Sequence, residues 1–366
     1  MTPTSMQALI VGKTLYKATL DASHSIPNPS EGQVLVRVAY AAQNPPDAYV
    51  LDPARSAAYR KEENVIGTDF SGTVIDSHSS LIPVGSRVCG WVPGNDTEIG
   101  SFAEYLVTDA DLVIKVPDNM PLDEASTIGL SFMTAVHALS SCLGLSLKPK
   151  AADQVQEGKA VLVWGGNTAC GIFAIQILKI AGYYVIATAS SNARQKLQSL
   201  GADVVLPRDD PEETAAEVRT LAPHLAYALD CFSSSESAAA CAHALGEKGG
   251  HVHTLLPVEQ NIPNVRTTFA LVHSTLGRPM SVFNLMTEKP TTSQLETDRR
   301  LATQWCSFDK GYTYKLLLEG RLHPTAIVNW EGGLAGVQGG IEAMIKGKTA
   351  GAKVVHSICP QESQSI

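Results

Sequence analysis

The stretch Gly165-Gly166-Asn167-Thr168-Ala169-Cys170-Gly171 stands between a β-rich apolar run at 160–164 (AVLVW) and a segment in which Ile172, Ile175 and Leu178 recur at helical spacing. Small residues at such a strand-to-helix junction let the backbone turn tightly and approach a pyrophosphate, whose charge the helix N-terminus stabilises. A further strand at 184–188 begins about 20 residues on, the context that separates a dinucleotide-binding turn from a plain tight connection. Asn167 and Thr168 add side-chain donors. At the end of that second strand, an NAD site places a carboxylate to hold the ribose 2′-hydroxyl. Here the sequence runs Thr188-Ala189-Ser190-Ser191-Asn192-Ala193-Arg194, with no carboxylate before Asp203. Hydroxyl and amide groups with Arg194 and Lys196 nearby suit a 2′-phosphate, which points to NADPH; Ser190 and Asn192 as simple helix caps are the plainer reading.

Other reactive side chains read as structural. His137 lies in a helical apolar pattern, and His251 and His253 alternate along a strand, so core or strand-face positions are expected. Asp69 and Asp230 sit at strand ends beside small residues, where turn bonding is the common use. Seven cysteines, including Cys231, are scattered with no C-x-x-C pair, which argues against a disulfide framework or a zinc knot and for a reducing compartment.

Those groups need elements to hold them. The 366 residues are 44% hydrophobic and 17% charged, enough apolar material for a large folded core. Lys plus Arg 28 against Asp plus Glu 36 gives a net charge of −8, which speaks against nucleic acid as a partner. Residues 1–7 lack the basic start and apolar run of a secretory signal, and 361–366 carry no prenylation motif. The most apolar stretch, 169–189, is interrupted by Gln176, Lys179 and Gly182, so no membrane span is expected and the cytoplasm is the expected location. Short β-rich runs at 33–39, 67–75, 86–92 and 102–107 predict antiparallel structure in the first third, followed by a helical segment at 122–145. From 160 to 256 strands and helices alternate, which predicts a doubly wound parallel sheet of α/β class. A long helix is expected at 294–319. The weakly alternating segments after it cannot form a domain alone, so they are expected to return to the first domain. The predicted division is 1–130 with 290–366, around a nucleotide-binding domain at 131–289.

Four blocks carry a family resemblance: Asn44-Pro45-Pro46-Asp47; Gly67-Thr68-Asp69-Phe70-Ser71-Gly72-Thr73-Val74; the glycine turn with Gly182 to Ser190; and Tyr227-Ala228-Leu229-Asp230-Cys231. Glu319-Gly320-Arg321-Leu322 and Gly332-Gly333-Leu334 extend it. The chain resembles the zinc-free enoyl reductase branch of the medium-chain dehydrogenase/reductase superfamily, in particular the stand-alone, trans-acting enoyl reductases of fungal polyketide synthases. The resemblance implies a GroES-like β-rich catalytic domain built from both chain ends around a Rossmann domain, with the active site in the cleft between them. It implies that Pro46, Asp47, Ala48 and Tyr49 line the nicotinamide half of the cofactor. The turn residues Gly166, Asn167, Thr168, Ala169 and Cys170 would take the pyrophosphate, and Ser190, Ser191, Asn192 and Ala193 the 2′-phosphate. Arg208 would lie at adenine or phosphate, and Leu255, Leu256, Ala350, Gly351 and Lys353 in the nicotinamide region. Facing the substrate would be Ser131, Phe132, Met133, Thr134, Ala135, Val136, His137 and Ala138, with Thr275, Leu276, Gly277, Arg278 and Pro279.

Relatives often carry Lys at the position of Tyr49 and an aromatic at that of Arg208. Gly67-Thr68-Asp69 replaces the Gly-His-Glu block of the zinc dehydrogenases, so no zinc site is expected. The implied reaction is hydride transfer from NADPH to the β-carbon of an α,β-unsaturated thioester on an acyl carrier, with Tyr49 or a water as proton donor and Thr134 bonding near the carbonyl. The partner would be a polyketide synthase lacking a working enoyl reductase domain. Arg55, Arg60, Lys61 and Arg278 are candidates for a basic rim. The alternatives are an NADPH-dependent quinone or enone reductase acting on a free small molecule and a non-catalytic NADPH-binding scaffold. Residues 273–290, rich in Gly and Pro, suit no edge strand, so a monomer is expected.

Overall fold

The computed structural model describes residues 4–14, 16–57, 61–151, 159–349 and 351–359. They divide into two compact units, 1–130 with 273–366, and 131–272.

In the first unit, Gln33–Ala42 is the central strand of a seven-stranded sheet. Its Val34, Val36 and Val38 are fully buried, as β-branched residues on the covered face of a strand should be. It pairs antiparallel with Asp69–Ser77 and Tyr105–Asp109. The register with Asp69–Ser77 slips twice, and near the second slip a Cβ on Gly72 would overlap the Arg37 carbonyl, so only glycine fits there. The third neighbour is Ala352–Ser357, which in turn pairs in parallel with Ala326–Trp330. Strands from both ends of the chain therefore share one sheet.

The second unit is a six-stranded, wholly parallel sheet. Its order is Val204–Leu206, Tyr184–Thr188, Ala160–Trp164, Tyr227–Asp230, Gly250–Thr254 and Val265–Phe269. Numbered along the chain this is 3-2-1-4-5-6, the Rossmann order, in which ligands bind beyond the carboxyl ends of the strands. Ala169–Ile180, Arg194–Ser199, Pro211–Leu221 and Ser235–Ala244 are its main helices.

Three sequence expectations are corrected. The expected boundary at 290 lies at 273, because the 273–285 stretch is held by first-unit residues. The His273 ring meets Trp91 edge-on at 5.5 Å, Arg299 donates to the Leu276 carbonyl at 3.0 Å, and Asp96 accepts from the Val282 amide at 3.1 Å. The long helix expected at 294–319 is two helices, Thr292–Cys306 and Tyr312–Leu318. Between them Phe308 takes a positive φ and bridges Ile114, and a Cβ on Gly311 would strike the Trp305 carbonyl. The helical segment expected at 122–145 is Leu122–Ala125, Leu130–His137 and a π-turn, Ala138–Cys142. The break falls at Gly129, whose missing Cβ leaves room for the Asp69 carboxylate, and the Leu130 amide donates to Asp69 Oδ1 at 2.6 Å.

Candidate functional site

In the parallel-sheet unit the strand Ala160–Trp164 runs into Gly165, whose φ of +81° is the left-handed region that favours glycine. The turn is pinned to the next strand: the Gly165 amide donates to Thr188 Oγ1 at 3.1 Å and the Gly166 amide to the Thr188 carbonyl at 2.8 Å. Thr168 caps the helix Ala169–Ile180, its hydroxyl accepting from the Gly171 amide and donating to the Gly165 carbonyl. A Cβ on Gly171 would run into that same carbonyl, so the loop closes on the helix only with glycine there. Gly166 is buried, and Asn167, Thr168, Ala169 and Cys170 are partly exposed around the helix N-terminus. Helix-start amides point their N–H groups outward, so this is an anion cradle.

The end of Tyr184–Thr188 supplies the second half of the site. Ser190 Oγ donates to Asn192 Oδ1 at 2.6 Å, with Ser191 exposed and Ala193 buried beneath. Lys196, half-buried, reaches back to Asn167 Oδ1 at 3.2 Å, which joins the two loops; burial holds its pKa below the ordinary lysine value. The nearest carboxylate in sequence, Asp203, is committed elsewhere, paired with Lys179 at 2.6 Å and accepting from the Val185 amide. The site therefore presents hydroxyls, an amide and cations where a 2′-hydroxyl site would hold a carboxylate.

Sequence reasoning missed Phe232. Its ring edge would lie within 2.6 Å of a Cβ on Gly165, and the Arg208 guanidinium stacks on its face at 4.4 Å. The only sequence signal was its place two residues past the strand Tyr227–Asp230. Asp230 sets that loop by accepting from the Phe232 and Ser233 amides, and Ser233 Oγ accepts from the Leu255 amide at 2.6 Å. Leu255 is half-buried and Leu256 exposed.

In the other unit, Asn44 caps the short helix Pro45–Tyr49, and Asp47 closes a capping box by accepting from the Asn44 amide at 2.8 Å. Asp47 also accepts from Asn95 Nδ2 at 3.2 Å and is fully buried; burial pushes its carboxyl up to about 7. Lys353 Nζ pairs with Asp69 and donates to Asn44 Oδ1 at 2.9 Å. The side chains of Asp47 and Lys353, expected at the cofactor, are thus turned into an internal network. Pro46, Ala48 and Tyr49 are partly exposed, and the Arg55 guanidinium lies 4.6 Å over the Tyr49 ring. Gly351 adopts a φ of +76°; Ala350, like Arg60, lies outside the described residues.

The segments expected at the substrate are largely core. Ser131, Phe132, Met133, Ala135, Val136, His137 and Ala138 are buried, Phe132 packing edge-on against Phe173, because the helix is apolar on nearly all sides. Thr134 alone among 131–138 is partly exposed. Thr275 and Leu276 are buried while Gly277, Arg278 and Pro279 are exposed, with Arg278 paired to Asp109 at 3.0 Å.

Residues 30–118 match the alcohol dehydrogenase GroES-like domain and 169–276 the zinc-binding dehydrogenase family. The residues present do not fit a zinc ion. Both Asp69 oxygens are engaged, one by the Leu130 amide and the other by the Lys353 ammonium, and no thiolate or imidazole accompanies them in Gly67-Thr68-Asp69. A trans-enoyl reductase of Aspergillus niger is 32% identical over 375 residues, covering 97% of this chain and 98% of that protein. One of Penicillium crustosum is 30% identical over 373 residues, covering 96% and 97%. Among solved structures, an alcohol dehydrogenase superfamily protein from Novosphingobium aromaticivorans superposes with a TM-score of 0.75 at 23% identity, over 97% of this chain and all of that one. The CurK enoyl reductase gives 0.69 at 19% over 96% and 99%, and a mycobacterial protein complexed with NADPH gives 0.68 at 22% over the same shares. With its GroES-like and Rossmann-like halves and these full-length relatives, the chain belongs to the medium-chain dehydrogenase/reductase superfamily, in the family of the fungal trans-enoyl reductases.

Proposed function

We propose that the protein is a trans-acting, zinc-independent enoyl reductase that uses NADPH to reduce the α,β-unsaturated thioester of a carrier-bound polyketide intermediate. The observation that carries the cofactor reading is the Gly165–Gly171 cradle joined through Asn167 to Lys196 beside a strand end without a carboxylate. The full-length relatives named trans-enoyl reductases support the substrate class. When bound, NADPH supplies a hydride to the β-carbon of the enoyl group.

The chain's own residues bind and orient. Amides at the start of Ala169–Ile180 hold the pyrophosphate, and Lys196 with Ser190 and Asn192 holds the 2′-phosphate. The Arg208–Phe232 stack covers Gly165 and offers a flat cationic surface to the adenine end. Thr134 donates to the thioester carbonyl, where charge develops, and Tyr49 delivers the proton to the α-carbon. We further place the protein in the cytoplasm as a monomer, acting for a polyketide synthase without a working enoyl reductase domain. Among the described residues no helix is long and apolar enough to cross a membrane. The edge strand Val265–Phe269 carries Arg266 and is followed by 3₁₀ turns rather than another strand, which supports the monomer.

The test is oxidation of NADPH by the purified protein with a crotonyl pantetheine thioester, beside NADH and a simple quinone. Turnover of the thioester with NADPH is expected. A quinone as the better acceptor would replace this reading with a free small-molecule reductase, and tight NADPH binding without turnover on any acceptor would leave a scaffold.

A further inference from the structure

The Rossmann-like unit holds a second group of reactive side chains, away from the glycine turn in sequence. The helix Leu130–His137 ends in the π-turn Ala138–Cys142, where the Leu143 amide donates to the Ala138 carbonyl five residues back. An α-helix would put residues 137 and 142 on different faces. The wider turn brings Cys142 Sγ to 3.8 Å from His137 Nδ1. From the neighbouring strand Gly250–Thr254, His253 presents a ring whose Nδ1 meets Thr268 Oγ1 at 2.9 Å and whose buried Nε2 has no hydrogen-bond partner. Cys142 itself is partly exposed.

We propose that Cys142, set between His137 and His253, is a reactive thiol that forms covalent adducts with small α,β-unsaturated carbonyl compounds. The thiol proton passes to imidazole, and Sγ attacks the β-carbon while the C=C π pair shifts through the carbonyl to its oxygen. The imidazolium returns the proton at the α-carbon. One C–S and one C–H bond form, one S–H bond and one π bond are lost, and nothing is oxidised or reduced overall.

The electrostatics favour the thiolate. Burial alone would raise the thiol, but the neighbouring His137 and His253 imidazoles outweigh it and bring Cys142 down to about 6. On the strand that carries His253, His251 is coupled to His253 and is held near 4, and therefore neutral, by burial and then by Arg266. A thiolate of this basicity stays a competent nucleophile near neutral pH. Cys89, Cys231, Cys241, Cys306 and Cys359 are pushed the other way by burial, so they are poor competitors. Cys170, in the glycine turn, is the internal comparison.

The probe is acrylamide, incubated with the full chain at two pH values and mapped by peptide mass spectrometry. An adduct at Cys142 is expected, its rate changing less than about twofold between pH ~6.5 and ~8.5, where an ordinary thiol gains about 50-fold. His137→Gln should restore the steep dependence at Cys142 in a chain that keeps its near-ultraviolet circular dichroism. A steep profile in the unaltered chain, no Cys142 adduct there, or a flat profile that persists in folded H137Q overturns the proposal. The unaltered chain decides even if H137Q does not fold.

Discussion

Replacing Lys196 with alanine should weaken NADPH and spare NADH. The ammonium stands half-buried at 3.2 Å from Asn167 Oδ1, so it joins the glycine turn to the loop at 190–194. A hydrogen bond from a charged donor contributes about 1.5–3 kcal/mol net, and this one is less screened than a surface contact. At about 1.4 kcal/mol per tenfold, Lys196→Ala should raise the KM for NADPH by about 10- to 100-fold. NADH has no 2′-phosphate, so its KM should move by less than about threefold, and kcat with either should hold, as for loss of uniform binding. Lys196→Arg, which keeps the charge, should recover most of the NADPH affinity. Because burial already lowers the lysine's pKa, the unaltered enzyme's preference for NADPH should also fade at alkaline pH before its NADH activity does. Steady-state kinetics with both cofactors decide the matter. An equal rise in the two KM values would mean that Lys196 only props the turn through Asn167, and no rise in either would remove it from the site.

Three further outcomes follow from buried contacts. Asp47 titrates near 7 in the fold against an ordinary 3.8, so between those values the folded chain holds a proton that the unfolded chain has lost. Stability should therefore fall as pH rises through that window, by up to about 1.4 kcal/mol per pH unit, and level off above 7. Asp47→Asn should flatten the slope in urea melts; parallel curves would show the carboxylate ionised throughout. Gly171→Ala forces a methyl onto the Gly165 carbonyl and should cost about 1–3 kcal/mol in stability and more than tenfold in NADPH affinity, checked by thermal unfolding and fluorescence titration. Lys353→Met strands the buried Asp69 carboxylate and should destabilise the fold by about 3–5 kcal/mol, while adding Asp69→Asn should recover part of the loss. Additive losses in the double variant would deny the pairing.

The Rossmann-like half was readable because its central strands are covered on both faces, and such strands write themselves as unbroken apolar runs: AVLVW at 160–164 and YVIAT at 184–188. Val265–Phe269 left no such trace, since an edge strand reading VRTTF buries little. The glycine turn was legible for a similar reason, its requirements being local to seven residues. Asp47 and Lys353 were not, because their partners lie far off in sequence: Asp69 is 284 residues from Lys353, and Asn95 is 48 from Asp47. The burial of 131–138 also depends on what packs around the helix, which the apolar pattern shows without saying which side chains a ligand would meet. The break at 307–311 rests on Phe308 taking a positive φ, something no propensity of phenylalanine announces.

The shared sheet has a bearing on how the chain comes off the ribosome. Its Rossmann-like unit is continuous in sequence, and every strand pairs with one already made or soon to follow. The strand Gln33–Ala42 instead keeps part of one edge open until Ala352–Ser357 has been synthesised, and Asn44 waits 309 residues for Lys353. At about 5–20 residues per second that is roughly 15–60 s of exposure for an apolar strand edge. A nascent chain stalled before Ala352 should resist protease across 159–272 and be cut within 33–42, while release of the completed chain should protect both. The later-maturing half is thus the one that a chaperone has most reason to hold during translation.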